Sequence, residues 1–186
     1  LAGYGQLSSQ SRLFDYGLYG SGWVYTRMQQ WPQAYGMFQR LVKELPQSAL
    51  RADALYRMAE SAQNLGQPAR ARQGFEQYLA LYPTGPLAPA AQLQLALLSL
   101  RADRLEDAMR ALQQVQRQFP GTEHAGEAQY WLGMTLFRNE RFAEARQVFQ
   151  QLANTTPAHP RAATALLRIA DAFYNEKRFQ EGLIAY

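Results

Sequence analysis

The sequence predicts an all-α protein made of repeated helical hairpins, and residue columns at one shared spacing are what predict it. Prolines fall at Pro46, Pro83, Pro120 and Pro157, each 37 residues after the last. Two columns of small residues keep the same step: Gly22, Ala59, Ala96, Gly133, Ala170, and Ala34, Ala71, Ala108, Ala145, Gly182. A further column is large and apolar: Phe38, Phe75, Leu112, Phe149, Tyr186. Independent columns with a common period identify an internal repeat, and repeats of this length stack into solenoids. Such arrays present extended surfaces for binding other proteins, so the pattern indicates a kind of job without naming a partner.

The elements follow in chain order. Residues 1–14 are rich in Gly, Ser and Gln and fit none of the columns. They read either as a lead segment or as the end of a preceding helix. Residues 15–47 form an aromatic-rich repeat with Trp31-Pro32 at its inter-helix turn. In residues 48–84, Ser48 suits an N-cap, Gly66 suits the left-handed residue that closes a helix, and Pro68 suits the first turn of the next helix. Residues 85–121 carry Pro86 and Pro89, so their first helix is expected to begin near Pro89. The repeat 122–158 is the clearest. Ala128, Trp131, Leu132, Thr135 and Leu136 lie on one helical face, and Thr122 is placed as its N-cap. A polar break at residues 138–141 follows, and then a second face of Phe142, Ala145, Phe149 and Leu152. Residues 159–186 make a partial repeat that stops inside its second helix.

The columns have mechanical meanings. Gly133 and Ala145 are expected where two antiparallel helices cross closely, since a larger side chain there would push the axes apart. The large column is expected to fill the gap between one repeat and the next, and truncating Phe149 or Phe75 to Ala should cost roughly 3–5 kcal/mol.

Composition excludes several classes. Cysteine is absent, which removes disulfides, thiolate metal sites and thiol nucleophiles. No apolar run approaches the ~18–20 residues that span a membrane. The start at Leu1 without a leader and the stop in mid-repeat are expected of a piece of a longer array. Net charge is +4, carried almost wholly by Arg, with Lys43 and Lys177 the only lysines. The two histidines, His124 and His159, are read as non-equivalent loop residues. Glu140, Glu144, Asp103 and Glu106 are read as solvated turn and second-helix positions. No phosphate loop, metal cluster or nucleophile–base pair appears, so no enzyme activity, cofactor, metal or small-molecule substrate is expected.

Trp131-Leu132-Gly133, Phe142, Ala145, Phe149 and Pro157 resemble the tetratricopeptide repeat (TPR) pattern in order and spacing. The resemblance covers residues 15–186, with a period of 37 against the usual one of about 34. Segments such as residues 128–152 are similar in style to bacterial envelope TPR proteins, among them the Tol-Pal periplasmic coordinator and the lipoprotein of the outer-membrane barrel-assembly complex. The resemblance implies a right-handed α-α superhelix of about four and a half hairpins. It also implies a periplasmic or outer-membrane-associated location, with the cytoplasm still open.

In that family the first helix of each repeat lines a concave face. Three columns at i, i+4 and i+8 share that face here. They are Tyr19, Tyr56, Leu93, Tyr130, Leu167; then Trp23, Glu60, Leu97, Met134, Asp171; then Arg27, Asn64, Arg101, Arg138, Asn175. The expected partner-binding residues are Tyr19, Trp23, Arg27, Tyr56, Asn64, Arg101, Tyr130, Met134, Arg138 and Asn175. Aromatics and Arg dominate binding hot spots, and an Arg/Asn rail can hydrogen-bond a peptide backbone or carboxylate. The lysines of the family's carboxylate clamp are missing, so chaperone-tail binding is not assigned.

The expected function is a non-catalytic scaffold for a protein or peptide partner in an envelope assembly. Two alternatives stay open: a structural spacer that self-associates through exposed repeat ends, and an RNA-binding helical repeat. The last is disfavoured by modest net charge and by Glu60 and Asp171 on the binding face.

Overall fold

The computed structural model describes residues 13–156 and 158–185. The expectations for most of the lead segment, for Pro157 and for Tyr186 lie outside the described residues. Among those described there are ten helices: α1 (Phe14–Arg27), α2 (Trp31–Glu44), α3 (Arg51–Asn64), α4 (Pro68–Leu81), α5 (Ala88–Arg101), α6 (Leu105–Gln118), α7 (Glu123–Arg138), α8 (Phe142–Thr155), α9 (Ala162–Asn175) and α10 (Phe179–Ala185). The chain divides into two compact units, Leu1–Ala91 and Gln92–Tyr186, and the division falls inside α5.

Each hairpin turn is closed by the same device. Gln29, Gly66, Asp103, Glu140 and Lys177 all have positive φ, between 54° and 69°. They stand 37 residues apart. Around each, two amides cap the preceding helix in the Schellman pattern. At the first turn Gln29 N–H donates to Thr26 O (3.0 Å) and Gln30 N–H to Tyr25 O (2.9 Å). The turn at Glu140 repeats this, with Glu140 N–H to Phe137 O (3.1 Å) and Arg141 N–H to Leu136 O (2.9 Å). Only one of the five residues is the glycine that this conformation favours. Pro68 opens α4 and Pro32 stands in the first turn of α2, where the missing N–H has no intrahelical role.

In the first unit, Phe38, Leu41, Leu55, Phe75 and Tyr78 are fully buried. Gly22 receives the Phe38 ring: a Cβ there would stand 2.6 Å from Cε1. In the second hairpin the small residue is Ala59, and the close partner is Gly74, where an added Cβ would lie 2.7 Å from Ala59 Cβ. The second unit has a core of Leu100, Leu112, Val115, Leu132, Phe149 and Leu152. There Gly133 receives Phe149, with an added Cβ 2.5 Å from Cε1. The large column was expected between successive repeats. Phe38 and Phe149 also press against the glycine of their own hairpin, and Phe149 shares a core with Ala165 and Ile169 of the next repeat.

The segments before the first helices share another device. Leu50 N–H donates to Ser48 Oγ at 3.1 Å, Ala125 N–H to Thr122 Oγ1 at 3.2 Å, and Arg161 N–H to His159 Nδ1 at 3.1 Å. Ser48, Thr122 and His159 occupy one repeat column, whose other member among the described residues is Gly85. Glycine offers no acceptor, and there the Tyr78 hydroxyl reaches across to accept from Leu87 N–H at 3.2 Å. Thr122 is thus the N-cap of α7, whereas Ser48 acts on the turn before α3. His124, read as a loop residue, lies in the first turn of α7. His159 is half-buried, with its ring against Gly126 and its Nε2 3.1 Å from Glu123 O.

Candidate partner-binding face

The i, i+4, i+8 columns separate by depth. The outermost, Arg27, Asn64, Arg101, Arg138 and Asn175, is exposed throughout. Its two asparagines donate to the carbonyls one turn back: Asn64 Nδ2 to Glu60 O at 2.9 Å, and Asn175 Nδ2 to Asp171 O at 2.7 Å. They seal the ends of α3 and α9. Arg138 meets the Asp103 carboxylate at 3.4 Å, an exposed pair of small energetic weight.

The innermost column corrects an expectation. Tyr56 is 5% exposed and Tyr130 6% exposed, so neither is an open anchor. Tyr56 packs 5.4 Å from the Phe75 ring and Tyr130 5.9 Å from Phe149. Spacing gives a side chain's bearing around the helix but not its depth, and these rings are drawn down onto the large column. Burial, with the Glu60 charge adding to it, holds the Tyr56 phenol well above its ordinary pKa. Tyr19, Trp23 and Met134 are half-buried.

In the first unit this face is organised by Arg57, which the repeat columns did not single out. Its guanidinium lies 4.6 Å from the Trp23 ring centroid and donates to Glu60 Oε2 at 2.7 Å. Asp53 stands 3.8 Å from it on the other side and accepts the Tyr19 hydroxyl. Burial raises the Asp53 carboxyl and the Arg57 charge opposes this. Together Tyr19–Asp53 and Trp23–Arg57 tie α1 to α3.

The second unit carries an equivalent arginine three periods on. Arg168 Nη1 donates to Asp171 Oδ2 at 2.6 Å, the same i, i+3 geometry as Arg57–Glu60. In both arginines Nε is buried without a hydrogen-bond partner. Beside it, Arg161 holds Glu127 in a bidentate pair (Nε to Oε2 and Nη2 to Oε1, both 2.9 Å), and Trp131 Nε1 donates to the same carboxylate at 2.9 Å. Arg161 also stacks 4.9 Å from the Tyr130 ring. Burial works to raise the Glu127 carboxyl, but the hydrogen bonds from Arg161 and Trp131 outweigh it and hold it below its ordinary value. Each unit thus carries its own set of fixed aromatic rings and locked ion pairs, with exposed Arg27 in the first and exposed Arg101 and Arg138 in the second.

Residues 16–48 and 127–158 match the tetratricopeptide repeat family, and residues 50–141 match a family described as outer membrane lipoprotein. No curated protein sequence matches the chain. Among solved structures, the TPR-like repeats of a putative kinesin light chain from Podosopora anserina are 19% identical with a TM-score of 0.69, covering 94% of this chain and 91% of that one. A crystal structure of MamA protein is 16% identical with a TM-score of 0.74 over 94% of this chain and 89% of its own. A second MamA structure gives 18% and 0.71, over 88% and 89% of the two chains. At these identities the likeness is one of fold. The helix pairs, their turns and these matches agree on a fold of TPR-like helical hairpins, with residues 16–48 and 127–158 matching the tetratricopeptide repeat family itself.

Proposed function

We propose that this chain is a non-catalytic interaction module that takes a protein or peptide partner along the exposed face of its first helices, within a bacterial envelope assembly. The observation that carries the proposal is that the repeat column Arg27, Arg101, Arg138 is exposed, with half-buried Trp23 one turn from Arg27 in the first unit and half-buried Met134 one turn from Arg138 in the second. Arginines at the rim of a rigid apolar surface can donate bidentate hydrogen bonds to an incoming carboxylate or backbone. Tyr56 and Tyr130 serve from beneath, as supports for the rings and ion pairs above them. The similarity of residues 50–141 to outer membrane lipoproteins supports a periplasmic or outer-membrane-associated location. No described helix is long and apolar enough to cross a membrane.

The test is a cross-linked pull-down from envelope extract, comparing the natural chain with an Arg101→Glu/Arg138→Glu variant. Both arginines are exposed, so the fold should persist, which circular dichroism checks. A partner recovered by the natural chain and lost by the variant is the expected result. Equal recovery by both would sink the assignment to this face.

A second reading, self-association, has its own observation. Leu183 and Ile184 on α10 are 71% and 87% exposed, and Tyr174 and Phe179 are exposed beside them. Apolar surface of this kind favours burial against another chain. Sedimentation at rising concentration tests it, and a monomer throughout, indistinguishable from an Ile184→Lys variant, would remove it.

A further inference from the structure

A cleft of about 390 Å³ opens between α2 and α4 in the first unit, lined mainly by these second helices, with Met58 of α3 between them. Val42 and Met58 form its floor. Its polar lining is Tyr35, Gln39, Lys43, Arg70, Gln73 and Gln77, with no carboxylate among the lining residues. Arg70 reaches over the groove to the Tyr35 ring, 5.9 Å from its centroid, and is steadied by Gln67 Oε1 at 2.9 Å. Lys43 has no ion-pair partner among the described residues.

The second unit supplies an internal control. Its repeat-equivalent cleft, about 260 Å³ between α6 and α8, is lined by Arg110 and Arg141 but also by Glu106 and Glu144. Arg141 is paired with Glu144 at 2.7 Å, and Arg110 with Asp107. Arg70 of the first cleft corresponds to Glu144 of the second, two periods on, and Tyr35 to Met109. The same scaffold thus presents one groove whose charges cancel and one whose two cations are uncompensated.

We propose that the α2–α4 cleft is a docking site for an acidic peptide segment of a partner protein, with Lys43 and Arg70 receiving Asp or Glu carboxylates. Charge complementarity carries the choice of occupant. Gln39, Gln73 and Gln77 offer amides that both donate and accept, as a peptide backbone requires, and the apolar floor takes an aliphatic stem. Two cations are few for a nucleic-acid backbone, whose binding scales with the number of phosphates neutralised. The site lies apart from the first-helix face of the proposed function and does not depend on it.

The experiment is an NMR titration of the ¹⁵N-labelled chain with a Glu-rich octapeptide, its Gln counterpart, and inorganic phosphate. The expected result is saturable shifts confined to residues 35–43 and 70–77 and to Met58 with the Glu peptide. Affinity should fall about tenfold or more in Lys43→Gln/Arg70→Gln and stay unchanged in Arg110→Gln/Arg141→Gln. Equal binding of the Gln peptide, or an undiminished affinity in Lys43→Gln/Arg70→Gln, would overturn the proposal. So would phosphate acting as well as the peptide, since the site would then take small anions. Shifts on α1, α7 or α9 instead would overturn it while favouring the first-helix face, so the two failures read differently.

Discussion

Gly133 and Phe149 meet so closely that a single methyl group on the glycine would stand 2.5 Å from the ring. Among the equivalent pairs, Gly22 likewise faces the Phe38 ring and Ala96 stands with the smaller Leu112, while Ala59 keeps both its methyl and the Phe75 ring, with Gly74 pressed against it. Gly133→Ala is therefore expected to destabilise the chain by ~1–3 kcal/mol through overpacking. Adding Phe149→Leu should recover part of that loss. Urea denaturation of the two single variants and the double variant measures the coupling, and strict additivity would show that the two positions do not share one slot.

The left-handed turn residues give a second expectation. Glu140 has φ 58° without being glycine, and its carboxylate is exposed. Glu140→Gly should stabilise by ~0.5–1 kcal/mol, because relief of the Cβ strain exceeds the added freedom of the unfolded chain. Gly66→Ala, at φ 69°, should do the reverse by a similar amount. Thermal melts of both variants decide it, and two shifts of the same sign would refute it.

Tyr78 is a core residue with a polar task, accepting the Leu87 amide at 3.2 Å. Tyr78→Phe should cost about 1 kcal/mol. Gly85→Ser in the same background should restore much of it, since Ser48 Oγ performs this task in the preceding repeat. Chemical denaturation, with hydrogen exchange at Leu87, checks both halves. No recovery in the double variant would mean that the serine does not reach the amide.

Glu127 links stability to pH. Its carboxyl lies below the ordinary glutamate value of 4.5 in the folded chain, so the folded state binds that proton less readily than the unfolded state does. Its contribution is fully present above 4.5 and is lost as pH falls through the lowered folded value. Glu127→Gln should be less stable than the natural chain at neutral pH, and the gap should narrow on acidification. Unfolding curves across that range test it, and a constant gap would exclude the linkage.

Much of the fold was legible because its tightest contacts impose residue size at a fixed spacing. Gly22, Gly133 and Ala59 stand out as small for the reason that rings or glycines press against them. The turn column was legible only at Gly66. Carrying the step of 37 outward from that glycine reaches Gln29, Asp103, Glu140 and Lys177, which composition alone does not mark as left-handed. The face residues were read less well. Tyr56 and Tyr130 share a bearing with exposed neighbours but are pulled beneath them by Phe75 and Phe149. Glu127 and Arg161 were missed because their bonds join successive first-helix segments, and Arg57 because its stacking on Trp23 does the same. Tyr19 to Asp53 and Arg161 to Glu127 each span 34 residues, an offset that no column at the repeat period displays.

The five identical hairpin closures also govern how such a chain can change length. Inserting one residue at Glu140 would separate the two amides from the carbonyls they cap and detach α7 from α8. The segments between hairpins are more permissive: their amide is met by a hydroxyl, an imidazole or a phenol borrowed from the helix before. Growth or shrinkage should therefore be tolerated at the proline-bearing junctions and resisted at the turns. Whole hairpins are the natural currency of insertion and deletion, and a library of tandem duplications cut at these junctions would yield soluble, helical products more often than one cut at the turns.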